Sequence, residues 1–116
     1  MLFRSDGTTA KAYTDGVLQP GIGTATGSIA GGGLPLVIGG NSELFQLTDG
    51  TVDEVRISRS VRYTSNFTPA RTFTVDANTV AYYQLNEGTG TTAHDSTALH
   101  NGTLKGNPLP SWVQGR

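Results

Sequence analysis

The chain has 116 residues, with 16 glycines, no cysteine, 35% apolar and 15% charged residues, and a formal net charge of −1. This length suits one domain with a modest core. The scattered, balanced charge excludes a basic nucleic-acid surface, and the lack of cysteine excludes a disulfide framework or a thiolate metal site.

Taken in chain order, residues 8–14 and Val17-Leu18 flank Asp15-Gly16 and read as a β-hairpin, because Asp-Gly supplies the positive φ angles of a type I′ turn. Pro20-Gly21 closes it, and residues 21–33 form a glycine-rich loop. Residues 36–38 (LVI) read as a short apolar strand closed by Gly39-Gly40-Asn41, and residues 44–47 as another short strand. The longest apolar run, residues 34–38, contains Pro35 and is far too short to span a membrane. No apolar leader core occurs in residues 1–20.

Residues 51–58 (TVDEVRIS) give the clearest strand, with Asp53, Val55 and Ile57 on one face and Val52, Glu54 and Arg56 on the other. Residues 59–70 lack a period of two and read as a short helical turn followed by an extended stretch. Tyr63, Phe67 and Phe73 are expected to tack this connection to the sheet edge. Residues 80–85 (VAYYQL) form a second strong strand with apolar groups on both faces, so both faces should be covered. A turn at 87–92, a polar loop at 95–101, a short strand at Thr103-Leu104 and a terminal Trp112-Val113 complete the chain. Many short strands, glycine-rich turns and no helix of ordinary length predict an all-β sandwich or barrel.

The usual catalytic patterns are missing. Asp53 and Glu54 are adjacent in a strand, so they point to opposite faces and cannot form the facing carboxylate pair of a glycosidase. His94 and Asp95 lie near many serines, but no nucleophile elbow accompanies them. His94 and His100 have no third zinc ligand at a sensible spacing. The glycine-rich loop lacks both a surrounding βαβ unit and a Lys-Ser/Thr sequel, so it does not cradle phosphate. The chain therefore reads as a non-enzyme.

Two stretches resemble the laminin G-like, concanavalin A-like lectin/glucanase jelly-roll family. AKAYTDGVLQPG, PLVIGGNS and DGTVDEVRISRSVRYTSNFTPA, in that order, resemble the carboxy-terminal half of such a module. AYYQLNEGTGTTAHDSTALHNGTLKGNPLPSWVQGR resembles a module's opening segment, with Asn86 where Asp is frequent and Thr97-Ala98-Leu99 where Ser-Gly-Asn is usual. The resemblance implies an antiparallel β-sandwich, partial or circularly permuted, over a single unit 1–116. In it, residues 1–75 supply the end of a module and 76–116 its beginning. Residues 80–85 would pair antiparallel with 52–58.

The resemblance also implies a non-catalytic recognition or adhesion module, extracellular, at the cell surface or on a virion, with a glycan or surface protein as ligand. Tyr82, Tyr83 and Trp112 are the rings available for a sugar contact, with core packing as their competing use. Glu87, Asp95 and Asn101 are the candidates for a structural calcium, against a simple turn cap at Asp95. No other cofactor is required. The absent middle strands leave sheet edges that a second copy could cover by strand pairing or exchange, giving a homo-oligomer. A self-assembling structural subunit and an accessory domain of a larger secreted enzyme are the alternatives.

Overall fold

A computed structural model describes residues 1–21, 27, 31–41, 43 and 46–115. Among these there is no helix, and all pairing is antiparallel. β1 (Leu2–Ser5), β2 (Ala10–Thr14) and β3 (Val17–Leu18) form one sheet in sequence order. β4 (Val55–Ser58) pairs with β5 (Thr79–Tyr83), and β6 (Thr92–Ala93) pairs with β7 (Gly102–Thr103).

The first sheet is organised by its turns. Between β1 and β2, the Asp6 carboxylate accepts hydrogen bonds from the amides of Thr8 and Thr9, the Thr9 hydroxyl and Arg4 Nη1. A short acidic side chain thus replaces backbone pairing within the turn. Between β2 and β3, Asp15 and Gly16 have φ of 51° and 78°, the two positive values expected for Asp-Gly. β1 itself lay outside the sequence reading; Leu2-Phe3 ahead of the Asp6-Gly7 turn was its available signal.

The 59–78 connection docks on this hairpin. The Phe67 ring meets the fully buried Tyr13 ring edge-on at 5.5 Å, and Tyr63 stacks on Phe67 at 3.7 Å. The Phe67 amide donates to the Gly16 carbonyl, and the Leu18 amide donates to Asn66 Oδ1. Arg62 forms a two-pronged ion pair with Asp76 (2.6 and 2.7 Å), which fixes the return toward β5 and holds the Asp76 carboxyl well below the usual range. The predicted helical turn within 59–70 is absent; bends and extended chain follow the aromatic contacts instead.

β4 and β5 pair in the register Val55–Tyr83, Arg56–Tyr82 and Ile57–Ala81, with a bulge before Ser58–Thr79. β4 starts four residues later than predicted, because Glu54 adopts φ 53° and breaks the extended run. Asp53 therefore lies exposed outside the strand, not on a sheet face beside Val55 as the alternation predicts. On one face, Val55 and Ile57 pack with Ala81, Tyr83 and Ala93, joined by Leu85, Leu104 and Trp112. On the other, Phe73 meets Tyr82 edge-on and the Arg56 guanidinium lies 4.3 Å from the Phe73 ring centre. Both faces of β5 are covered, as its double apolar pattern predicts.

Residues 36–38 form no strand in this chain, since no described strand lies alongside them. Of the second predicted strand, positions 44 and 45 lie outside the described residues, and Gln46 and Leu47 are unpaired in any sheet. Most of the glycine-rich loop also lies outside the described residues.

A Cβ at Gly16 would sit 1.8 Å from the Phe67 carbonyl oxygen, at a backbone φ that already disfavours side chains. Gly16→Ala should therefore lower unfolding free energy by about 3 kcal/mol in urea titration, from backbone strain and the forced displacement of the connection.

Candidate functional site

β5 places two tyrosines side by side on opposite faces, and both rings are buried, with 3% of Tyr82 and 7% of Tyr83 exposed. The Tyr82 hydroxyl donates to Glu54 Oε2 and accepts from the Phe73 amide at 3.3 Å. The Tyr83 hydroxyl donates to the His100 carbonyl at 2.6 Å. Burial pushes both phenols above their ordinary pKa, with the nearby carboxylates of Glu54 and Asp95 acting in the same direction. Neither ring offers a face to a ligand, which corrects the expectation of a tyrosine sugar platform. A strand covered on both sides leaves no exposed side chain of this size.

The polar centre beside β5 is Asp95. Its Oδ1 accepts from the amides of Tyr82 (2.9 Å) and Thr97 (3.0 Å); its Oδ2 accepts from the His100 amide (3.0 Å) and the Thr97 hydroxyl. His100 Nδ1 lies 3.4 Å from Oδ2. The Asp95 backbone adds a bridge to Tyr83, and the Ser96 amide donates to the Tyr82 carbonyl. Asp95 therefore acts as an extra edge for β5 while capping its own turn.

The three calcium candidates come near one another without forming a calcium cluster. Asn101 Oδ1 accepts from the Asp95 amide (2.9 Å), and Glu87 Oε1 accepts from the His94 amide (2.6 Å). Glu87 Oε2 is buried and has no partner, but the Asp95 oxygens are filled by protein donors. Among the described residues, no three His, Cys, Asp or Glu side chains converge as a metal would require. The residues as arranged do not fit a calcium ion, because amide and hydroxyl donors fill both Asp95 oxygens and Glu87 Oε2 is left without a second carboxylate to share a cation.

Trp112 is the remaining predicted contact. Its ring packs partly against the core, and its Nε1–H donates to the Gly90 carbonyl at 2.8 Å, which fixes the indole plane. An open groove of about 370 Å³ runs beside it, lined by Asn86, Gly88, Val113, Gln114 and Gly115. Asn86 and Gln114 are exposed, none of the described lining residues is charged, and the Asp53 carboxylate approaches the groove at Gly115. Gln114 escaped the sequence reading because nothing in its spacing marks it, and Asn86 stood out only as a departure from the family pattern; only the fold brings the 86–88 turn to the terminal segment.

Burial opposes ionisation of Asp95, but the Thr97 hydroxyl and the amides of Tyr82, Thr97 and His100 outweigh it and hold the carboxyl well below its ordinary value of 3.8. A depressed folded-state pKa contributes stability that is complete above the unfolded value of about 3.9 and is lost as pH falls through the folded one. Asp95→Ala should cost about 3 kcal/mol at pH 7, because several buried donors lose their acceptor. Asp95→Asn should show a flatter stability profile below about pH 4 than the wild type, measured by urea titration at successive pH values.

A family profile for the concanavalin A-like lectin/glucanases superfamily, of the laminin G type, matches residues 1–66, more than half of the chain. The matched stretch carries the first sheet and β4. No curated protein and no solved structure matches. The antiparallel, helix-free architecture of the described residues agrees with that profile, and the chain belongs to the concanavalin A-like lectin/glucanases superfamily.

Proposed function

We infer that this protein is a non-catalytic recognition module of an extracellular or cell-surface protein, and that it binds uncharged carbohydrate in the groove beside Trp112. The superfamily supports a lectin-like or binding role in general. The specific reading rests on one observation: a fixed indole is flanked by two exposed carboxamides, with no charged residue among the described lining residues. An aromatic face covers the apolar C–H face of a sugar ring, while carboxamides donate to and accept from its hydroxyls. A groove with no cation among its described lining residues, and with the Asp53 carboxylate near Gly115, favours neutral sugars over acidic ones, whose carboxylates would be desolvated without a partner.

The carboxylates support the non-catalytic reading. Glu54 is held by the Tyr82 hydroxyl, Asp95 is buried under its donors, and Asp53 lies exposed outside the strand. Among the described residues that line the Trp112 groove there is no carboxylate. The reading of residues 1–116 as a single unit is supported by the same geometry, since the 76–116 stretch supplies the strand that β4 pairs with and the lining of the groove.

Trp112 is the sole tryptophan, so its fluorescence reports directly on the groove. Titration with a panel of neutral oligosaccharides should shift its emission for one sugar class, with a dissociation constant of about 0.1–1 mM. Asn86→Ala and Gln114→Ala, both at exposed positions, should weaken that response about fivefold or more without altering the unfolding midpoint. An emission spectrum unchanged by every sugar at millimolar concentration would contradict the carbohydrate reading.

A further inference from the structure

Asn101 is the one asparagine of the chain that is followed by glycine. In such a pair no Cβ shields the carboxamide from the next backbone nitrogen. The fold itself does not call for glycine at 102. Its φ lies outside the left-handed region, and a Cβ there would meet Ala93 Cβ at 3.5 Å and Tyr83 Cε1 at 3.8 Å, both ordinary contacts. Asn101 is exposed and immediately precedes β7. Its Oδ1 accepts from the Asp95 amide at 2.9 Å, which fixes the carboxamide and draws electron density from Cγ. One restraint opposes reaction. Gly102 pairs with Ala93, and the Leu104 amide donates to the Thr91 carbonyl, so the alternation of an antiparallel ladder directs the Gly102 N–H to the Ala93 carbonyl. This ladder has two residues on each strand, and a ladder so short opens locally at low free energy.

We propose that Asn101 is a self-modification site of this chain, gated by opening of the β6–β7 ladder. Once the ladder opens, the Gly102 nitrogen gives its proton to solvent and attacks Asn101 Cγ. The new N–Cγ bond closes a succinimide, and the carboxamide C–N bond breaks. Ammonia leaves, taking back a proton from solvent. Water then opens the ring. Cleavage of the bond between the Gly102 nitrogen and Cγ gives aspartate. Cleavage of the bond to the main-chain carbonyl carbon gives isoaspartate, with the chain routed through Cγ. Water is the only reagent consumed. Isoaspartate lengthens the main chain by a methylene ahead of β7, which moves Gly102 and Thr103 out of register with Ala93 and Thr92. Either product adds a carboxylate close to the buried Asp95 carboxylate, and like charges there oppose reclosure. Opening is thereby made irreversible, and the loop from 95 to 101 loses its tie to β7.

Incubation of the full chain in mildly alkaline buffer tests this, with and without guanidinium chloride beyond the unfolding transition, followed by peptide mass spectrometry. The exchange of NH2 for OH should map to Asn101 and run about tenfold or more faster in denaturant than in buffer. Gly102→Ala should slow it about tenfold or more in denaturant, where no fold is needed, because a Cβ then shields Cγ. In buffer the same variant should not lower the unfolding midpoint. Isoaspartate-bearing protein should exchange the amides of 102–104 faster than fresh protein. Equal rates in buffer and denaturant overturn the gating. Reaction at another asparagine, a Gly102→Ala chain that reacts at the wild-type rate, or isoaspartate-bearing protein that keeps its amide protection overturns the proposal as well.

Discussion

The structure depends on the ladder between β4 and β5. It joins two stretches separated by the 59–78 connection, and the loop-closure entropy of bringing them together must be offset by what the ladder assembles. The ladder places Val55 and Ile57 opposite Tyr83 and Ala81, which starts the apolar cluster that Ala93, Leu85, Leu104 and Trp112 complete. The same pairing turns Arg56 and Tyr82 to the other face, where Phe73 covers them. Without it, Trp112 would have nothing to pack on, and the groove would lose its wall.

β5 has a ladder on one side only, and Asp95 serves the other. By accepting from the Tyr82 amide, the carboxylate saturates a backbone donor that a neighbouring strand would otherwise take. A buried carboxylate is tolerated here because each oxygen receives at least two donors. That same saturation removes Asp95 from ligand chemistry. The acidic loop is scaffold, and the proposed recognition site is the groove beside Trp112 at the end of the core. The aromatic stack of Tyr63 and Phe67 does comparable work for the first sheet, anchoring the connection that aligns β4 with β5.

Features with strong local chemistry were legible in the sequence. Asp15-Gly16 fixes its turn by backbone preference alone, and VAYYQL declares a strand covered on both faces through its composition. The aromatic tacking by Tyr63, Phe67 and Phe73 also followed from residue type in an otherwise polar connection. What the sequence concealed depends on contacts distant along the chain. Glu54 alternates correctly on paper, yet its backbone turns left-handed while its side chain meets the Tyr82 hydroxyl. LVI has strand propensity, but propensity cannot supply a neighbour. β6 spans only Thr92–Ala93, too short for any pattern. At the site, Trp112 was visible as a ring, whereas Asn86 and Gln114 became visible only once the turn and the terminal segment met.

The register of β4 on β5 unites the two halves of the chain. Cross-strand nuclear Overhauser effects on isotopically labelled protein test it directly. Backbone proton contacts should link Val55 to Tyr83, Arg56 to Tyr82 and Ile57 to Ala81, interrupted at the bulge before Ser58. Contacts shifted by one residue, or none between these segments, would contradict it, because a one-residue slip turns Tyr83 and Ala81 away from the core.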